Sequence, residues 1–320
     1  MKEKIPDTNG EAGLIPRKGY LLVISAAILW AISGSAGKFL FSQGITPFQI
    51  VQLRVTLAAV FLFFLLLVMN PRLLKIPAKE IIYFVILGVT GLGMVQFTYF
   101  YTISKINVAV AILLQYLAPA FIAIYYAFIA PEKLTKITLA AIAISLFGCY
   151  LAVGAYNFDM FVLNRTGIIL GILAGVFYAW YAIYGEKGMR RHDPWTVVFY
   201  ATVFSAAFWN IALPPFSSFR VEYTGVQWFW IAYIVVLGTA VPFGLYTMGI
   251  SLIRSTRATV TATLEPIAAA FIAYIFLGES LEPLQMLGGL LVIASVVLFQ
   301  IKREYDETTS AIIRGKAEIL

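Results

Sequence analysis

Residues 47 to 154 of this 320-residue chain lie over residues 194 to 301 at a constant offset of 147, and each copy sits in a half that holds five apolar helical stretches. The matches in register include Pro47 with Pro194, Gly91 with Gly238, Tyr99 with Tyr246, Ser104 with Ser251, Pro119 with Pro266 and Glu132 with Glu279. Chance overlap of Leu-rich helices would match Leu, Ile and Ala, but not prolines, tyrosines and a glutamate at one spacing. Five crossings per half, an odd number, turn the second half upside down relative to the first, the arrangement of inverted-repeat transporters. The expected fold is an all-α membrane protein of ten transmembrane helices, built as two five-helix inverted repeats.

The apolar spans run 19–42, 47–69, 80–104, 107–129, 134–155, 166–186, 195–214, 227–250, 256–277 and 283–301, each close to the roughly 20 residues that cross a hydrocarbon core of about 30 Å. At 61% hydrophobic and 12% charged residues, the chain has more apolar surface than a soluble core could hide. The first repeat takes residues 17–155 and the second 165–303, which leaves polar tails at 1–16 and 304–320 that are expected to be poorly ordered. Loops are short, and no soluble domain fits between spans. No charged n-region with a small-residue cleavage site opens the chain, so the first helix is expected to serve as its own anchor.

The net charge of +7 is explained by topology rather than by nucleic acid. With the N-terminus in the cytoplasm, 18 of the 23 Lys and Arg residues fall inside, Lys105, Arg165 and Arg220 fall at the outside, and Lys38 and Arg54 lie within spans. That is a strong positive-inside bias, and it predicts a multi-pass protein of the plasma (inner) membrane with both termini cytoplasmic. The single cysteine, Cys149, excludes an intramolecular disulfide, and the one histidine, His192, reads as a solvated residue of the basic loop Arg190 to Asp193. No metal site or cofactor is expected, and no Gly-rich phosphate loop is present to carry ATP.

Charge buried in lipid costs several kcal/mol on most estimates, so the ionisable residues inside spans need a protein-lined or watery surrounding. Glu265 is the sole carboxylate away from the ends of a span. It lies about nine residues, or roughly 14 Å, into its helix, near mid-membrane. Two roles stand open for it, substrate binding or coupling on one hand and helix packing on the other. Arg54 is read as snorkelling to the interface. Lys38 either snorkels or lines a cavity behind the small residues Ser33, Gly34, Ser35 and Gly37, where it would favour an anionic solute. Pro119 and Pro266 each lack the N–H that would bond the carbonyl four residues earlier, at Gln115 and Ala262, so both are candidate helix breaks or hinges. Breaks at repeat-related positions point to a binding site at the midplane, and Gln115 adds an amide there. Trp30, Tyr178, Gln96, Tyr99 and Tyr246 are candidate cavity walls, each with packing as the alternative role. Trp30 and Tyr178 correspond at an offset of 148. The run Gly167, Gly171, Gly175 is a helix face for close approach.

Leu264-Glu265-Pro266, an Ala-rich helix and then Leu277-Gly278-Glu279 resemble the signature of the drug/metabolite transporter superfamily, in its EamA-type branch. Trp30 with Lys38, Arg54 in the second span, and Leu117-Ala118-Pro119 with the Glu132 turn agree with that family's repeat, over about residues 17 to 303. The resemblance implies a ten-helix carrier with a central cavity between the repeats and transport of small metabolites or amino acids. Ala118 departs from the polar residue many relatives carry before this proline, which leaves Gln115 as the polar group there.

These observations predict a secondary transporter, not an enzyme, that moves small metabolites or amino acids by alternating access, with export the expected direction. Its partners would be a small-molecule substrate and the lipid bilayer, as a monomer or homodimer. A lipid-handling flippase on the same architecture is the alternative. An intramembrane enzyme would need convergent catalytic groups at one depth, and no buried His or Asp accompanies Glu265.

Overall fold

A computed structural model describes residues 11–106, 108–129, 135–152, 154–156, 164–277 and 282–301. Most of the N-terminal tail, the C-terminal tail and the Glu132 and Glu279 turns lie outside these residues. All the regular structure among the described residues is helical. Seven helical stretches are long and apolar enough to cross a membrane, and Lys136–Ala152 and Pro283–Leu298 are apolar but shorter. Large apolar side chains point outward along them, Val68, Ile211 and Phe128 each more than 80% exposed, a surface that only lipid would cover without aggregation.

The local chemistry sets where helices start. Helix α1 (Glu11–Ser42) is followed by α2 (Pro47–Met69), which opens on a capping box between Thr46 and Gln49 with Pro47 in its first turn. Its counterpart α9 (Pro194–Ala212) opens the same way, with Asp193 accepting from the Trp195 amide before Pro194. Thr46 and Asp193 are 147 residues apart. The third stretch of each half also departs from α geometry at the same place. In the first, α3 (Ile81–Ile86) leads through a π-helical segment, Leu87–Gly93, into α4 (Met94–Lys105). In the second, α10 (Gly225–Val235) leads through Val236–Ala240, also π-helical, into α11 (Val241–Ala262).

The fourth stretch of each half is interrupted. Helix α5 (Val108–Gln115) stops and α6 (Ala118–Phe128) restarts, while α11 stops at Ala262 and α12 (Glu265–Leu277) restarts. The interruptions, Tyr116-Leu117 and Thr263-Leu264, are again 147 apart, and Pro119 and Pro266 sit in the first turn after each. One boundary differs from the sequence-based spans. Gly225–Ala262 forms a single 38-residue helical stretch, which at 1.5 Å per residue would reach about 57 Å, nearly twice the hydrocarbon core. It is divided at Arg254, whose left-handed backbone (φ 69°, ψ 162°) ends the run of helical geometry.

The halves pack reciprocally. Helix α1 lies along α11, and α8 (Arg165–Met189) lies along α4, so the first helix of each half covers the third of the other. Helix α2 faces α9, and α7 (Lys136–Ala152) faces α13 (Pro283–Ile301). Close backbone approach makes the last pair: a Cβ on Gly288 would sit 2.6 Å from the Gly148 carbonyl oxygen. At Gly175, on the glycine face of α8, a Cβ would come within 2.8 Å of the Leu114 carbonyl, which fits the packing role expected of that face. Buried hydroxyls spend their protons inside their own helices, as Thr98, Thr102, Thr202 and Thr259 do on the carbonyl four residues earlier.

Candidate functional site

Between the halves lies a cavity lined by Trp30 and Ser33 of α1, Arg54 of α2, Val95, Gln96, Tyr99 and Phe100 of α4, Gln115 at the end of α5, Tyr178 of α8, Phe243 of α11 and Glu265 of α12. Its volume is about 30 Å³, room for about two water molecules. Six of the eight residues proposed from sequence as substrate contacts meet here: Trp30, Gln96, Tyr99, Gln115, Tyr178 and Glu265.

Glu265 owes its place to the interruption before it. Because α11 ends at Ala262, Glu265 is the first residue of a new helix, where the unpaired N–H groups and the helix dipole favour a negative group. Its side chain is 2% exposed and accepts a 2.7 Å hydrogen bond from Tyr116 Oη. Tyr116 thus lies on one interruption and its acceptor at the edge of the other. Tyr99 comes close to the same carboxylate, with its hydroxyl outside good hydrogen-bond geometry.

The aromatic wall is built around Trp30. Its ring meets Tyr178 edge-on at 6.3 Å, Phe243 at 4.9 Å and Tyr246 at 5.3 Å. Tyr246 stands behind this wall rather than on the cavity, fully buried against Tyr178, with its hydroxyl 2.8 Å from Thr259 Oγ1.

Arg54 does not snorkel. It is 2% exposed, lies 4.4 Å over the Phe100 ring, and donates from Nε and Nη2 to Thr239 Oγ1 (3.0 and 2.8 Å) and from Nη2 to the Gly238 carbonyl (3.0 Å). Both acceptors belong to the π-helical segment of the other half, where the widened turn bonds Thr239 to the Ile234 carbonyl five residues back. The outward pull of the interface loses to these buried oxygens. From the sequence, Arg54 is a charge seven residues into an apolar run; its acceptors stand 184 and 185 residues away.

Lys38 lies away from the cavity. Its ammonium donates to the carbonyls of Ile103 (2.9 Å) and Ile106 (3.2 Å) at the end of α4, where helical carbonyls lack partners and attract a cation. The repeat-related residue at the offset of 148 is Glu186. It binds the equivalent connection of the second half, accepting from Ser255 N–H (2.8 Å) and Arg254 Nε (3.2 Å). His192 also differs from the solvated residue expected: its ring stands 5.2 Å from Phe84, and Nε2 is 3.5 Å from Glu80.

Six buried side-chain atoms on the cavity wall lack a hydrogen-bond partner: Trp30 Nε1, Arg54 Nη1, Gln96 Nε2, Gln115 Oε1, Tyr99 Oη and Tyr178 Oη. Buried polar atoms are rarely left unpaired, so these six hold bonding capacity that water or another polar group can take up.

Comparison with known proteins agrees with this architecture. The EamA-like transporter family matches twice, over residues 17–154 and 165–300. The chain is 29% identical over 293 residues to the uncharacterised inner membrane transporter YicL of Salmonella typhimurium, covering 89% of this chain and 96% of that protein. It is 24% identical to the threonine/homoserine exporter RhtA of Escherichia coli, over 86% of this chain and 90% of the relative. A solved crystal structure shares the fold with a TM-score of 0.67 at 17% identity, covering 90% of this chain and 96% of that one.

Proposed function

The chain belongs to the EamA-like transporter family, and from that premise we propose that it is a secondary transporter exporting small metabolites or amino acids across the plasma membrane by alternating access. The cavity between the halves carries this reading, because helices of both repeats wall it and a solitary carboxylate sits in it at a helix interruption. In the proposed topology each half crosses the membrane five times, the halves are inverted, and both termini face the cytoplasm. Reciprocal packing of first on third helices and the shared offset of the interruptions support it. A space of about 30 Å³ is too small for an amino acid, so loading requires a wall to move, and the interrupted helices at Pro119 and Pro266 are the natural hinges. Glu265 binds a cationic group of the solute or takes part in proton coupling. The name of the RhtA relative supports export of amino acids.

The test is counterflow in liposomes. Proteoliposomes preloaded with an unlabelled amino-acid or metabolite mixture are expected to accumulate labelled members of that mixture, and Glu265→Gln is expected to slow this at least tenfold. No accumulation of any member would refute transport; full activity of Glu265→Gln would refute the role of the acid.

A further inference from the structure

The two charges on the cavity wall are not paired with each other. Among the described residues Arg54 has no carboxylate within 4 Å, and its two satisfied edges rest on neutral oxygens, a hydroxyl and a carbonyl. Glu265 is held by a neutral phenol, and its neighbour Tyr99 lies close to both charges. A buried guanidinium with only neutral partners keeps much of its desolvation cost, and an anion brought to it would recover that energy. Water in the cavity could bond the free atoms but could not cancel the charge.

The unpaired atoms have a polarity. Trp30 Nε1, Arg54 Nη1 and Gln96 Nε2 only donate, the hydroxyls of Tyr99 and Tyr178 can donate, and Gln115 Oε1 alone must accept. Such a set suits an acceptor-only group with several lone pairs, which is the chemistry of a carboxylate. Arg54 and Glu265 together sum to zero charge, so a solute complementary to the wall carries both signs and is neutral overall. A phosphate dianion would leave the cavity negative and face Glu265 as a like charge. The rings of Trp30, Phe100 and Phe243 supply an apolar surface for the carbon skeleton.

Resting on the transport reading above, we infer that the Arg54 face of the cavity is a carboxylate subsite and that the solute is a small zwitterion, its anionic end on Arg54, Trp30 and Gln96 and its cationic end at Glu265. Arg54 is then the residue that sets substrate class, and Lys38, occupied with the carbonyls of α4, plays no part in that choice.

The experiment compares free amino acids with their methyl esters, which mask the carboxylate, and their decarboxylated amines, which lack it. Binding is read by thermal stabilisation of the purified full-length protein and transport by counterflow. Esters and amines are expected to bind at least tenfold more weakly than the parent acid, the loss of about one charge-assisted hydrogen bond, and Arg54→Gln is expected to abolish that preference. Trp30→Phe keeps the ring but removes the free N–H, so it is expected to weaken the acid severalfold and leave the ester unchanged; it keeps the test decisive where Arg54→Gln does not fold. An ester or amine that matches its acid, or a tenfold preference that survives Arg54→Gln, overturns the inference and leaves transport standing. Absence of exchange by every compound overturns transport and the inference with it.

Discussion

The contact between Tyr116 and Glu265 can be isolated because one atom makes it. Tyr116→Phe removes only the hydroxyl, leaving a ring that is fully buried and packed 6.2 Å from Tyr178, so no cavity of consequence forms. The bond is 2.7 Å long, and both groups are shielded from bulk water. A hydrogen bond to a charged acceptor contributes about 1.5–3 kcal/mol and one between neutral groups about 0.5–1.5 kcal/mol. In Glu265→Gln the tyrosine still has a neutral oxygen to bond, so the two substitutions should couple by about 1–2 kcal/mol in a double-mutant cycle. The assay is reversible unfolding of the two single variants and the double variant in mixed micelles, read by helical circular dichroism. Tyr116→Phe should cost more in the wild-type background than in the Glu265→Gln background, by about that coupling. Strict additivity, within about 0.5 kcal/mol, would show that Glu265 carries no charge in the state measured or that the phenol does not hold it, and would refute the account of the site given above.

Three further outcomes follow from the packing. Lys38→Met is expected to lower stability by about 1 kcal/mol through two lost carbonyl contacts while leaving the substrate KM within twofold; a tenfold rise in KM by counterflow would place Lys38 in the binding site after all. Glu186→Gln removes a charge partner from Arg254 and should cost about 3 kcal/mol, seen as a larger loss of melting temperature than Lys38→Met gives. Gly288→Ala drives a methyl to 2.6 Å from the Gly148 carbonyl, and the forced separation of α7 and α13 should cost about 1–3 kcal/mol; an unchanged melt would mean that this pair is not tightly packed.

What the sequence could reveal depended on the range of the interactions involved. Prolines act on the carbonyl four residues back, a local effect, so the interruptions at Tyr116-Leu117 and Thr263-Leu264 were legible from Pro119 and Pro266 alone. The meeting of Trp30, Gln96, Tyr99, Gln115, Tyr178 and Glu265 was legible because the repeat places them on corresponding helices. Arg54 was not, since its acceptors are supplied by a π-helical turn in the other half, and neither the turn nor the pairing leaves a periodic trace. The sequence leaves Lys38 open between the interface and a cavity for a related reason: the carbonyl oxygens that hold it lie at the end of another helix, 65 and 68 residues away. The reversal at Arg254 escaped because a non-glycine residue with positive φ carries no composition signal.

The clasps made by Lys38 and Glu186 bear on the molecule's history. One family description matches both halves, so the halves descend from one duplicated unit, and these two side chains hold equivalent connections from equivalent positions. An ammonium has only protons to give and a carboxylate only lone pairs, so no single ancestral residue could have made both attachments. At least one of them was acquired after the duplication, when the twins had begun to diverge.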